Sequence, residues 1–126
     1  CHPLDSYIQF EEMVGHVREL LEQLQLKFRI IKLCGGDLGF TAALTYDFEV
    51  YAPAQKKWLE VSSVSNFETY QSNRLQLKCV DKVKKRKLLC HTLNGSSLAL
   101  PRIFARHSPI LLGLDLDFFL RSSQHI

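Results

Sequence analysis

The sequence predicts an α+β domain in which helices flank an antiparallel β-sheet. Three observations lead to this fold class: an amphipathic helical pattern near the amino end, short strand patterns joined by hairpin-length connections, and a second helical pattern after the last strand. Strands joined by such short connections pair antiparallel, because a parallel pair needs a longer crossover. The 126 residues have room for one hydrophobic core.

The composition is that of an ordinary globular domain. Hydrophobic residues make up 46% and charged residues 23%, which excludes disordered and fibrous classes. The net charge of +3 permits contact with nucleic acid without requiring it. The four cysteines lack zinc-site spacing and favour reduced thiols, and no apolar run is long enough to span a bilayer. We therefore expect a cytoplasmic protein without a membrane partner.

The first predicted element is a helix over residues 6–26. Ser6 and Gln9 have the spacing of a capping box. Apolar residues then recur at helical spacing: Phe10, Met13, Val14, Val17, Leu20, Leu21 and Leu24. The chain begins with Cys1 rather than Met, so we expect a processed or removed amino terminus, or a sequence that is part of a longer one.

Strands are predicted next. Phe28–Cys34 is rich in β-branched and aromatic residues, and a glycine-rich turn without dinucleotide-binding spacing follows it. Residues 46–51 alternate apolar and acidic side chains, and Pro53 ends that strand. Trp58–Ser63 follows at hairpin distance and is predicted to pair with it.

The second half of the chain contains further strand patterns, followed by the last predicted helix. Residues 66–71 favour a cap and a helical turn, after which the pattern changes to that of a strand around Cys79. Asp81–Lys87 is a basic connection, interpreted as a solvated hairpin tip or a contact with a phosphate backbone. Leu88–Asn94 is predicted to be one strand, and Pro101 lies in the first turn of a following helix.

Short polar residues occur in three of these strand segments. They are Asp47 and Glu49; Glu60, Ser62 and Ser63; and Thr92, Asn94 and Ser96. If one face of the sheet lies on the core, these residues form a polar floor on the other face. Such a floor suits a hydrated divalent cation that carries phosphates, although an open antiparallel sheet that simply faces water gives the same pattern.

Several sequence blocks together resemble one enzyme family. The blocks are GDLGF, TYDFEVY, PAQ, WLEVSSVSN, YQSNRL and HTLNGSSLALPR. Their order and spacing are similar to those of the carboxyl-terminal part of the catalytic domain of seryl-tRNA synthetases, from about Leu4 to Ile103. The resemblance implies a class II aminoacyl-tRNA synthetase fold, in agreement with the periodicity.

The resemblance also implies an ATP site on the second strand of the predicted hairpin. In the family, the Glu-Val/Ile-Ser-Ser block holds ATP and its magnesium, which corresponds to Glu60, Val61, Ser62 and Ser63. Glu60 and Ser63 are the implied Mg²⁺ ligands. Strict alternation puts these two side chains on opposite faces, so both reach one ion only if the strand bends or ends there.

The third class II motif supplies the remaining implied site residues. Asn94 and Ser96 line the serine pocket, and Arg102 contacts the γ-phosphate of ATP. The implied function is that of a serine–tRNA ligase, which activates serine with ATP and Mg²⁺ and transfers it to tRNA(Ser). Family members are homodimers.

This sequence also departs from the family pattern. The second motif, Phe-Arg-x-Glu, is missing, since Phe28-Arg29-Ile30-Ile31 lies in the wrong block and lacks the glutamate. The dimer-forming first motif, the tRNA-binding arm and the upstream part of the serine pocket are missing as well. We therefore expect residues 1–107 to be a partial catalytic domain that is inactive alone.

After Ile103 the sequence no longer resembles the family, and residues 108–126 are interpreted as a divergent tail. The alternative to a ligase fragment is a non-catalytic, synthetase-derived binding domain or the product of a broken gene.

Overall fold

The computed structural model describes residues 1–53, 55–81 and 85–104. Helices and strands follow each other as α1 (Ser6–Gln23), β1 (Phe28–Lys32), β2 (Leu44–Ala52), β3 (Lys57–Glu68), α2 (Tyr70–Leu75), β4 (Lys78–Asp81), β5 (Arg86–Leu89) and β6 (Thr92–Gly95). Residues 100–104 are helical. The predicted α+β class with an antiparallel sheet and flanking helices is confirmed.

Four strands form the main sheet in the order β1-β2-β3-β6, and every neighbouring pair is antiparallel. One face of this sheet packs against α1. The core that they share consists of Phe10, Val14, Val17, Leu21, Leu26, Phe48, Val50, Val61, Val64 and Ile103. The apolar stripe predicted for the first helix therefore lies on the sheet.

The start of α1 differs from the predicted capping box. Asp5 is the N-cap residue and makes no side-chain cap bond, while Ser6 is already helical and fully buried. The Ser6 hydroxyl lies 2.8 Å from Nδ1 of His91 and 3.2 Å from the Pro3 carbonyl oxygen. Ser6 therefore joins α1 to the segment before β6 instead of capping the helix.

A β-bulge interrupts the pairing of β2 with β3. Phe48 lies opposite Ser62, but the next residue of β2, Glu49, lies opposite Glu60. Val61 is the extra residue between these two pairs. A bulge of this kind shifts the alternation of side chains by one position on the strand that carries it.

Two predicted boundaries are wrong. The strand predicted over Leu88–Asn94 is divided between β5, which pairs with β4 in a separate two-stranded sheet, and β6, which pairs with β3. The chain changes sheets at His91, whose backbone exchanges hydrogen bonds with Cys1. Likewise, β3 extends to Glu68, into the first half of the helical turn predicted over residues 66–71, and α2 begins at Tyr70. Alternation in the sequence does not reveal a change of partner strand.

Within the described part of the chain, no helix has the length and apolar character needed to cross a membrane. The middle of the basic connection, residues 82–84, and the divergent tail, residues 108–126, lie outside the described residues. The flanking register, in which Asp81 lies opposite Arg86, confirms the hairpin that the basic connection was predicted to close.

Candidate functional site

The bulge brings four polar side chains of β2 and β3 to one face of the sheet. Glu49 lies opposite Glu60, and Asp47 lies opposite Ser63. Directly opposite residues in a sheet point to the same face, as do residues two apart on a regular strand such as Asp47 and Glu49. Glu60 and Ser63 thus share a face although they are three residues apart. The bulge therefore provides the bend that both side chains need to reach one ion.

Strand β6 extends the same face. Asn94 lies opposite Ser65, and the Ser96 amide donates to the Ser63 carbonyl oxygen at 2.9 Å. The Ser63 amide in turn donates to the Ser96 hydroxyl oxygen at 3.0 Å. Asn94 and Ser96 are exposed, so their side chains are open to a ligand. The face opposite α1 is therefore the polar floor that the sequence predicts.

Arg102 reaches this floor from the helical turn of residues 100–104. Its Nη1 donates to the Glu60 carbonyl oxygen at 2.6 Å and lies 3.8 Å from Oε2 of the same residue. Both side chains are about half exposed, 52% and 48%, so this ion pair contributes little stability and leaves both charges open to a ligand.

A cleft of about 340 Å³ separates β3 from the segment that carries Arg102. Its lining residues are Glu60, Val61, Ser62, Ser96, Ser97, Leu98, Ala99, Pro101 and Arg102. The Ala99 amide donates to the Val61 carbonyl oxygen at 2.7 Å and holds this segment on β3. Leu98 adopts a φ of 57°, a left-handed conformation that is unusual for a residue with a side chain. The chain is thus turned so that Arg102 faces Glu60.

At the edge of the polar floor nearest β1, two charged side chains of the protein pair with each other. Arg29 lies opposite Glu49, and its guanidinium nitrogen is 2.6 Å from the Glu49 carboxylate. The same guanidinium lies over the Trp58 ring, 4.5 Å from the ring centroid. Arg29 is therefore paired with Glu49 at this end of the floor.

Two of the predicted site residues have buried side chains on the other face. Val61 and Ser62 are each 2% exposed. The Ser62 hydroxyl donates to the Ser96 carbonyl oxygen, which links β3 to the start of the cleft segment. Their side chains support the site from the core side of the sheet. The predicted residues that come together at the surface of the site are Glu60, Ser63, Asn94, Ser96 and Arg102.

Glu60 and Ser63 fit a magnesium ion that arrives with a nucleotide. Magnesium prefers oxygen ligands and keeps several waters and phosphate oxygens in its coordination sphere. Among the described residues, no three His, Cys, Asp or Glu side chains form a metal cluster. A carboxylate and a hydroxyl on one face are consistent with a metal that takes its other ligands from phosphate and water.

Asp47 lies on the polar floor as predicted, but neither the alternation nor the resemblance gave it a role in the site. It lies opposite Ser63 and thus next to the proposed metal ligands. The alternation in TYDFEVY indicates the face on which Asp47 lies. Which residue of β3 lies opposite it depends on the bulge, and no residue of the hairpin turn predicts that bulge.

Comparison with known proteins identifies the family of this chain. The tRNA synthetase class II core domain family (G, H, P, S and T) matches residues 1–107. The chain therefore belongs to the class II aminoacyl-tRNA synthetase core domain family.

Within this family, the chain is similar to serine–tRNA ligases. It is 50% identical to the serine–tRNA ligase of Bordetella avium over 102 residues, which are 81% of this chain and 23% of that protein. It is 52% identical to that of Neisseria meningitidis serogroup B over 101 residues, 80% of this chain and 23% of that protein. The chain thus spans about a quarter of the length of these relatives.

Solved structures give the same result. The seryl-tRNA synthetase of Pyrococcus horikoshii, complexed with ATP, superimposes with a TM-score of 0.78 at 33% identity and covers 84% of this chain and 24% of that one. The cytoplasmic serine–tRNA ligase of Naegleria fowleri, in complex with AMP, has a TM-score of 0.73 at 28% identity and covers 83% and 25%. The resemblance to seryl-tRNA synthetases is confirmed.

Proposed function

We propose that this chain supplies the magnesium-ATP and serine-binding part of a serine–tRNA ligase active site. The observation that carries the proposal is the bulge at Val61, which places Glu60 and Ser63 on one face beside Arg102. The similarity to a seryl-tRNA synthetase complexed with ATP supports the nucleotide as ligand.

In this proposal, Arg102 binds the γ-phosphate of ATP. Its guanidinium is held at the mouth of the cleft by the Glu60 carbonyl oxygen and remains half exposed. Guanidinium groups bind phosphate oxygens through paired charge-assisted hydrogen bonds, so a phosphate can replace the weak contact with the Glu60 carboxylate. That replacement frees the carboxylate for the metal.

Glu60 and Ser63 would hold Mg²⁺, and the metal would neutralise phosphate charge during the reaction. Val61 and Ser62 hold β3 in the bulged conformation. Ser62 does so through its bond to Ser96, and this bond also fixes one wall of the serine pocket. ATP recognition therefore depends on one exposed, one half-buried and two buried residues of one tetrapeptide.

Asn94 and Ser96 would bind serine. Both are exposed on the polar face, and Ser96 is fixed by hydrogen bonds with the backbone of Ser63. A pocket that hydrogen-bonds the serine hydroxyl disfavours alanine, because alanine would leave buried polar groups unpaired. The proximity of Ser96 to Ser63 brings the amino acid next to the nucleotide.

The reaction would proceed by attack of the serine carboxylate on the α-phosphorus of ATP with release of pyrophosphate. A hydroxyl of the terminal ribose of tRNA(Ser) then attacks the seryl carbonyl carbon and releases AMP. Alignment and charge neutralisation supply most of the acceleration in such a phosphoryl-centred reaction. We expect the 126-residue chain alone to be inactive, because it lacks the Phe-Arg-x-Glu motif. Cytoplasmic location belongs to this proposal as well.

A chimeric enzyme tests the proposed function. The 102 aligned residues of this chain would replace the corresponding segment of the Bordetella avium serine–tRNA ligase, with which they share 50% identity. Serine-dependent exchange of pyrophosphate into ATP is expected in the chimera and not in the isolated chain. A folded chimera that binds neither ATP nor serine would contradict the proposal and favour a non-catalytic derivative.

A further inference from the structure

Two cysteines lie next to each other on the hairpin formed by β4 and β5. In this hairpin Cys79 lies opposite Leu88, and the Cys90 amide extends the pairing by donating to the Leu77 carbonyl oxygen at 3.1 Å. Cys79 and Cys90 are therefore diagonal neighbours on one face of the hairpin.

The surroundings of this pair differ from those of the exposed thiol Cys34. Cys90 is buried and Cys79 is half-buried. Burial and the contact with Cys90 raise the pKa of the Cys79 thiol. Cys34 lies on the surface, where its thiol is 3.4 Å from Oδ2 of Asp37, and thus offers a matched control.

We propose that Cys79 and Cys90 form an oxidation site at which a peroxide or a small-molecule disulfide closes an intramolecular disulfide bond. With hydrogen peroxide, one thiolate attacks the peroxide and becomes a sulfenic acid with loss of hydroxide, and the second thiolate attacks the sulfenic sulfur and displaces a second hydroxide. The two protons released by the thiols convert both hydroxides to water. With a small-molecule disulfide, one thiolate forms a mixed disulfide and releases one small-molecule thiolate, and the second thiolate then displaces the other. Both sulfur atoms are oxidised by one electron each, and the peroxide is reduced to two molecules of water.

The geometry of the hairpin permits this closure. Diagonal neighbours on paired strands lie about 7–8 Å apart. A disulfide needs the two Cα atoms within about 7 Å, so closure requires a small inward shift of one strand. The β4–β5 ladder is two-stranded and separate from the main sheet, and neither cysteine belongs to the core cluster between α1 and that sheet. The bond would fix β4 to the residue that leads directly through His91 into β6.

Oxidation of the purified 126-residue chain tests the proposal. The chain would be treated with hydrogen peroxide or oxidised glutathione at low protein concentration, alkylated and digested with trypsin. We expect the peptide of residues 79–82 to be linked to that of residues 88–102, and the intact chain to lose the mass of two hydrogen atoms. The variants Cys79→Ser and Cys90→Ser should each abolish the link, whereas Cys34→Ser should retain it.

The pH dependence of the reaction provides a second readout. Because the pKa of Cys79 is raised, thiolate is scarce at neutral pH, and the rate of closure should increase as the pH rises toward that pKa. Recovery of Cys79 and Cys90 as separate glutathione adducts or sulfinic acids, or a link between either of them and Cys1 or Cys34, would overturn the proposal. So would a link that forms only between two chains.

Discussion

At the scale of single residues, the backbone and the side chain of Glu60 have different roles in the site. Its backbone carbonyl oxygen holds Arg102, while its carboxylate is half exposed and lies only loosely against the same guanidinium. The backbone thus positions the cation, and the side chain remains able to bind a metal.

Replacing Glu60 by alanine in the chimeric ligase should affect ATP more than serine. Removal of the carboxylate takes away a proposed metal ligand, so we expect KM for magnesium-ATP to rise by about tenfold or more while KM for serine changes little. Pyrophosphate exchange at varied ATP and serine measures both values. The matched control is Glu22→Ala, which removes an exposed carboxylate of α1. A rise confined to the serine KM would reverse the assignment of the two subsites.

Tyr7 gives a pH-dependent prediction away from the site. Its hydroxyl donates to Oε1 of Glu68 at 2.7 Å, and this bond raises its pKa above the ordinary 10.0. Because the folded-state pKa is raised, the stabilisation is present below pH 10.0 and is lost as the pH rises through the pKa of Tyr7. Ultraviolet titration of the chain and of Tyr7→Phe isolates this phenol by difference. In Glu68→Gln the pKa should fall; an unchanged titration would show that the bond is absent in solution.

At the scale of helices and strands, the packing of α1 on β6 positions the residues that we propose bind serine. A Cβ atom at Gly95 would lie 2.7 Å from the terminal methyl group of Met13 and 3.8 Å from Val64. A side chain at this position must therefore displace Met13. Gly95, which lies between Asn94 and Ser96 in the sequence, thus lets α1 pack close to β6.

Gly95→Ala should lower the free energy of unfolding by about 1 kcal/mol, because Met13 must leave its rotamer. In a Met13→Ala background the same change should be neutral or stabilising, since alanine restricts the unfolded chain. Urea unfolding of the double-mutant cycle measures the difference. Gly15→Ala, where a Cβ meets nothing within 4 Å, should instead stabilise α1. Equal effects of Gly95→Ala in both backgrounds would contradict the contact with Met13.

The elements also show what the sequence could and could not predict. Periodicity predicted α1 and the β2–β3 hairpin because their patterns report a buried face, and these faces are buried in the structure. It missed the bulge at Val61 and the change of sheets at His91, because both depend on pairing partners elsewhere in the chain. The site residues came from the family motifs, and only the register explains how they share a face.

At the scale of the whole molecule, Ile103 is the last of the described residues that belongs to the buried cluster. The tail of residues 108–126 contains the apolar run Ile110, Leu111, Leu112, Leu114, Leu116, Phe118, Phe119 and Leu120. Deleting this tail should leave the melting temperature unchanged and should improve solubility or leave it unchanged. Thermal unfolding and sedimentation of both forms measure this. Loss of cooperative unfolding on deletion would make the tail part of the core.

The most direct test of the proposed site is an NMR titration of the 126-residue chain with magnesium-ATP. We predict that shifts of backbone amide signals concentrate at residues 60–63 and 94–102, spare α1 on the opposite face, and require more ATP in Glu60→Ala than in Glu22→Ala. Amide signals on the polar face that do not respond to magnesium-ATP, or that respond equally in both variants, would contradict the account.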